Sequence, residues 1–113
     1  MLTGDRRLST ASRALLDDRA TPRLFSAASV WEAAIKRTTG KLRFPDDLWQ
    51  NLRRGGFVSL DITTTHAEMA GALPLHHTDP FDRMLVAQAQ HEGLSILTAD
   101  PAFEQYAVHV IRA

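Results

Sequence analysis

Apolar positions in this chain follow two rhythms that alternate along its length. Leu8, Ala11, Leu15 and Leu16 recur at helical spacing, and Ser9 or Thr10 can cap them, so a helix is predicted from Ser9 to Asp18. Thr21-Pro22 ends it. Leu24 to Ala28 is short and apolar, the pattern of a buried strand. A second helix is predicted from Ser29 to Thr39, stopped by Gly40. After a connector at 42–44, a third runs from Pro45 to Arg54, with Leu48, Trp49 and Leu52 on one face and Gly55-Gly56 at its end. Phe57 to Ile62 alternates as a strand does. Thr64 or Thr65 opens a helix through Leu73, a loop covers 74–78, and Pro80 to His91 forms a helix closed by Gly93. Leu94 to Thr98 reads as a strand, Pro101 to Tyr106 as a short helix and Val108 to Ile111 as a last strand. Helices alternating with short apolar strands predict a layered α/β domain with a mostly parallel sheet.

Composition narrows this picture. The chain has 113 residues, 44% of them apolar, which fits one globular domain over 1–113. It has no cysteine, which excludes disulfides, thiolate zinc sites and thiol nucleophiles and suits a reducing cytoplasm. No apolar run approaches the ~18 residues of a membrane span, and the opening Met1 to Arg7 lacks the apolar core of a secretory signal. The expected location is the cytoplasm, with no membrane partner. Thirteen basic residues balance 13 acidic ones, but unevenly: 11 against 6 in residues 1–56, and 2 against 7 in residues 57–113. A neutral chain is not built for strong nonspecific nucleic-acid binding, which comes mostly from phosphate neutralisation.

Three acids stand at strand-to-helix junctions. Glu32 follows the first predicted strand, Asp82 opens the Pro80 helix, and Asp100 follows the Leu94–Thr98 strand. In open α/β sheets ligands collect at the carboxyl ends of strands. Carboxylates converging there offer the oxygen donors that a hard divalent cation takes, and such a cation can activate water against a phosphodiester. Capping explains the same residues. Ser29-Val30-Trp31-Glu32 has capping-box spacing, Asp79-Pro80-Phe81-Asp82 has a cap, a first-turn proline and an acid, and Asp100-Pro101 is another capped start. An acid in a first turn gains ~0.3–1 kcal/mol from the helix dipole. Spacing leaves both readings open.

Four segments in register, Ser29-Val30-Trp31-Glu32-Ala33-Ala34-Ile35-Lys36, Gly40-Lys41-Leu42, His77-Thr78-Asp79-Pro80-Phe81-Asp82-Arg83-Met84-Leu85-Val86-Ala87-Gln88-Ala89 and Leu97-Thr98-Ala99-Asp100, resemble the PIN domain of VapC-type toxins. The resemblance implies a three-layer α/β fold and a ribonuclease dependent on Mg²⁺ or Mn²⁺. It implies a catalytic and metal-binding cluster of Glu32, Asp82 and Asp100, with Thr98 beside the metal water and Asp79 as a cap. It further implies RNA as substrate, a cognate antitoxin and a homodimer. The family begins with a central strand that ends in an aspartate and leads into a helix. This chain reads as lacking that strand and first helix, with Asp5 in the turn after them, so weak or no nuclease activity is expected of it.

The remaining features point less far. Adjacent histidines such as His76-His77 point apart in an extended segment, while His66, His91 and His109 read as surface or partly buried residues. Trp31 and Trp49 lie on apolar helix faces, as core or interface residues do; base stacking is the other reading. Arg6-Arg7 and Arg53-Arg54 suit RNA phosphates or solvated helix ends alike. No nucleophile elbow or glycine-rich phosphate loop is present. Two rivals stand beside the nuclease. One is a non-catalytic binding module that engages an antitoxin or a dimer partner. The other is a receiver-like domain, which needs a lysine after a late strand, whereas residues 57–113 contain none.

Overall fold

The computed structural model describes residues 22–75, 79–98, 103, 105, 106 and 108–112. The predicted helix from Ser9 to Asp18 and half of the one from Pro101 to Tyr106 lie outside them. Within the described residues the chain runs β1 (Leu24–Ser26), α1 (Ala27–Thr38), α2 (Leu48–Arg54), β2 (Val58–Leu60), α3 (Thr64–Ala72), α4 (Pro80–Glu92), β3 (Ile96–Thr98) and β4 (Val110–Arg112). The strands form two pairs, both parallel. Leu24 lies opposite Val58 and Ser26 opposite Leu60; Ile96 lies opposite Val110 and Thr98 opposite Arg112. Parallel pairing requires a crossover, and α1 and α2 supply it between β1 and β2. The α/β architecture with parallel strands follows the sequence pattern.

Several boundaries move, each for a local reason. The first described helix begins at Ala27, not Ser29. Ser26 ends β1 and is also the N-cap, with φ −83 and ψ 144, and its Oγ accepts from the Ala28 N–H at 3.0 Å. The next helix begins at Leu48 rather than Pro45, because the residues before it fold into a turn in which the Leu48 N–H donates to Pro45 O. The strand predicted over 57–62 is only Val58–Leu60. Gly56 enters it at φ +95, with the Arg23 guanidinium 2.6 Å from where a Cβ would stand. That guanidinium donates to Gly55 O at 2.7 Å.

The Pro80 helix is closest to expectation. Asp79 Oδ1 accepts from the N–H groups of Phe81 (2.8 Å) and Asp82 (3.1 Å), Pro80 occupies the first turn, and Gly93 closes the helix at φ 67. Five consecutive residues, Leu85 to Ala89, are buried, so α4 is enclosed rather than laid on a surface. Leu85, Val86 and Ala89 meet Ile96, Phe103 and Tyr106 in the main core. A second apolar group lies by β1, where Phe25 stacks on Trp49 at 5.4 Å between ring centroids and Trp49 meets Phe44 edge-on.

Polar bonds tie α3 to α4. The last carbonyls of a helix have no partner within it. Here Arg83 of α4 supplies donors from outside: Nη2 reaches Ala70 O at 2.8 Å and Leu73 O at 3.0 Å, and Nη1 reaches Pro74 O at 3.1 Å. At the other end of α3, Thr63 Oγ1 accepts from the His66 N–H, and the Thr63 N–H donates to His66 Nδ1, each at 3.1 Å. This is a capping box with histidine where glutamate or glutamine is usual.

Candidate active site

Glu32 sits in the second turn of α1, and no acid occupies that helix's first turn. The capping explanation for Glu32 therefore falls: the cap is Ser26, six residues earlier, and Ser29 is inside the helix. Asp82 lies in the first turn of α4, where the dipole favours a carboxylate. The two acids come from different helices and border the same cavity, of about 640 Å³, between β1, α1, α2 and α4. Next to them in sequence, Trp31 and Phe81 meet edge to face at 5.0 Å between centroids. That contact brings the neighbouring turns of α1 and α4 side by side.

The cavity is chemically divided. Glu32 and Asp82 supply carboxylates, Phe25, Phe44 and Trp49 supply an aromatic wall, and Lys36 and Lys41 add two ammonium groups. Lys36 Nζ lies 3.5 Å from Glu32 Oε2, one turn away on α1, and is half exposed. Such a pair contributes at most about 1 kcal/mol and yields readily to a stronger cation. Two carboxylates with no sulfur or imidazole nearby in the cavity wall form a hard-oxygen donor set, which fits Mg²⁺ or Mn²⁺ better than a thiophilic metal. Asp100 lies outside the described residues, as do His76 and His77. Thr98 is the last residue of β3, opposite Arg112.

A PIN domain family match spans residues 1–109. The chain belongs to the PIN domain family. No curated protein matches it. Membership of the PIN family implies nuclease activity in general, and PIN domains generally use a divalent metal. No helix among the described residues is long and apolar enough to cross a membrane.

Sequence reasoning missed one group in this PIN domain. His66, read as a surface or partly buried residue, has no exposed surface at all. Its Nε2 lies 2.8 Å from Glu92 Oε1, and its ring meets that of His91 edge-on at 5.4 Å. The potential ligand atoms of His66, His91 and Glu92 lie within 4.8 Å of one another. The hydrogen bonds argue against a metal there. Nδ1 accepts from the Thr63 N–H, so the neutral ring carries its proton on Nε2 and donates it to Glu92. A metal on Nε2 would force that proton onto Nδ1, against the Thr63 N–H. The signal in the sequence is Thr63-Thr64-Thr65-His66, a cap followed at the third position by a side chain able to return the bond.

The two tryptophans separate. Trp49 is half-buried on Phe25, whereas Trp31 is 62% exposed beyond its contact with Phe81. Ile35, one turn along α1, is also exposed.

Proposed function

We propose that this PIN domain is a metal-dependent ribonuclease of the toxin–antitoxin kind, as the resemblance to VapC-type toxins implies. The observation that carries the proposal is the meeting of Glu32 and Asp82, from separate helices, on the wall of one cavity. Glu32, Asp82 and Asp100 would hold Mg²⁺ or Mn²⁺, with Thr98 beside them. A divalent cation there supplies a more acidic bound water and offsets charge on the phosphoryl group. The chain's own residues do the rest. Asp79 and Pro80 fix the first turn of α4 and with it Asp82. Lys36 neutralises Glu32 and is free to turn toward RNA phosphate once that charge is met. The expected partners are RNA, a cognate antitoxin and a second copy of the chain, in the cytoplasm. The exposed Trp31 and Ile35 on α1 supply apolar surface for the dimer.

The second reading, a binding module without chemistry, draws support from the apolar majority of the cavity wall, including Phe44, Leu48, Trp49 and Leu52. Cleavage of single-stranded RNA with Mg²⁺ or Mn²⁺ separates the two. The nuclease reading expects metal-dependent cleavage that falls by roughly a hundredfold or more in Asp82→Asn and in Glu32→Gln, since loss of an outer-shell group alone costs ten- to a hundredfold. Cleavage that persists in both variants overturns it. Tight antitoxin binding with no cleavage at all favours the binding module.

A further inference from the structure

We infer that Gln88 is a positioning residue for the carboxylate pair: through Ser26 it sets the register of α1 against α4, and so holds Glu32 beside Asp82. The inference rests on the functional reading above.

Gln88 and Ser26 are both fully buried. The direction of every bond around them is fixed by chemistry. Asp61 O is a carbonyl and can only accept, so the amide nitrogen of Gln88 must face it, at 3.3 Å. The same nitrogen faces His66 Nδ1 at 3.5 Å, the acceptor atom of that ring. Gln88 Oε1 is thereby turned to Ser26, whose hydroxyl must donate to it. The Ser26 lone pair is left for the Ala28 N–H, which is the cap of α1. The chain of bonds has one direction and no spare orientation. It begins at the α3 cap, passes through α4 and ends in the first turn of α1.

That link lies one fixed step from the acids. Glu32 is six residues after Ser26 on α1, and Asp82 is six residues before Gln88 on α4. Trp31 is five residues after Ser26 and Phe81 seven before Gln88, so α1 and α4 run antiparallel, with Ser26 against Gln88 at one end and Glu32 and Asp82 next to the ring contact at the other. Six residues of helix span about 9 Å. The exposed ring contact alone leaves this pair free to slide or roll, whereas a buried, fully directed bond at the far end does not. At that point the group facing α4 is the cap serine of α1, so the link there is polar.

The test is Mn²⁺ affinity of the whole chain, read by titration calorimetry without RNA. Gln88→Met keeps the length of the side chain and removes the link. Val86→Ala, a fully buried neighbour on α4 with no part in the network, controls for lost stability. Gln88→Met is expected to weaken Mn²⁺ binding by about tenfold, the range for groups that orient metal ligands, and Val86→Ala to leave it unchanged. Ser26→Ala should weaken it similarly, and the double variant no more than the worse single one, since both remove the same link. If Gln88→Met does not fold, Ser26→Ala carries the same comparison. Affinity within twofold of the parent in the folded variants, while Glu32→Gln and Asp82→Asn lose binding, overturns this inference alone. Mn²⁺ binding that is absent, or indifferent to Glu32→Gln and Asp82→Asn, overturns the functional reading and this one with it.

Discussion

His66 shows how one side chain can belong to three elements. Its backbone N–H is capped by Thr63, its Nδ1 returns the bond, and its Nε2–H reaches Glu92 at the far end of α4. Replacing it separates these roles. His66→Gln retains the usual partner of a capping box and loses the bond to Glu92, so a cost of about 1 kcal/mol is expected. His66→Leu removes both and leaves the Thr63 N–H without its acceptor, for about 2–3 kcal/mol. Urea unfolding of the two variants measures the difference. The sequence disclosed this residue poorly, because a lone histidine in a short polar segment has no periodicity to announce burial. Glu32 was legible as an acid near a strand end, but its neighbours misled. Ser26-Ala27-Ala28-Ser29 offers two serines three residues apart, each able to cap, and the two alanines suit a strand end or a first turn. Pairing of Leu24–Ser26 with Val58–Leu60, a contact distant in sequence, chooses Ser26. With that choice Glu32 passes from cap to cavity wall.

At the scale of elements, type was easier to read than extent. Every helix and strand expected within the described residues is present, yet each strand is three residues long. The apolar runs are longer because flanking residues such as Phe57 and Leu94 pack without joining a ladder. The helix over 80–92 was sharply marked, since Asp-Pro and Gly93 punctuate both ends by local chemistry. The stop of α3 was not, because its carbonyls are satisfied by Arg83 from another helix. Arg83→Met is expected to lower stability by about 2 kcal/mol through those lost charge-assisted bonds, and Arg83→Lys by less; thermal unfolding checks the order. Gly56→Ala should cost about 1–3 kcal/mol, combining a left-handed φ with a collision against the Arg23 side chain, and the loss should shrink when Arg23 is also shortened.

Taken as a whole, the molecule strings its proposed chemistry and its apolar core along one stripe of α4, with Leu85 belonging to both. Val86 and Ala89 serve the core around Ile96, Leu85 serves that core and the cavity wall, and Asp82, one turn earlier, borders the cavity. The PIN fold and the carboxylate pair were thus within reach of sequence patterns, whereas the network that aligns them was not, because each of its bonds joins segments far apart in the chain. Assembly belongs to this scale too. With Trp31 at 62% and Ile35 at 42% exposure, the proposed dimer should weaken by at least about thirtyfold in Trp31→Arg, the effect of one ~2 kcal/mol anchor, as measured by sedimentation equilibrium in the ultracentrifuge. A further consequence comes from the way α3 is held. It buries only His66 and Ala70 and is fastened to α4 by polar bonds at its two ends. Such a helix can detach at a smaller loss of buried apolar side chains than α4. In deuterated water its amides should exchange through a cheaper opening than those of Leu85 to Ala89, and Arg83→Met should quicken α3 far more than α4. A protease acting on the native protein would then make its first cut within α3, before any in α4.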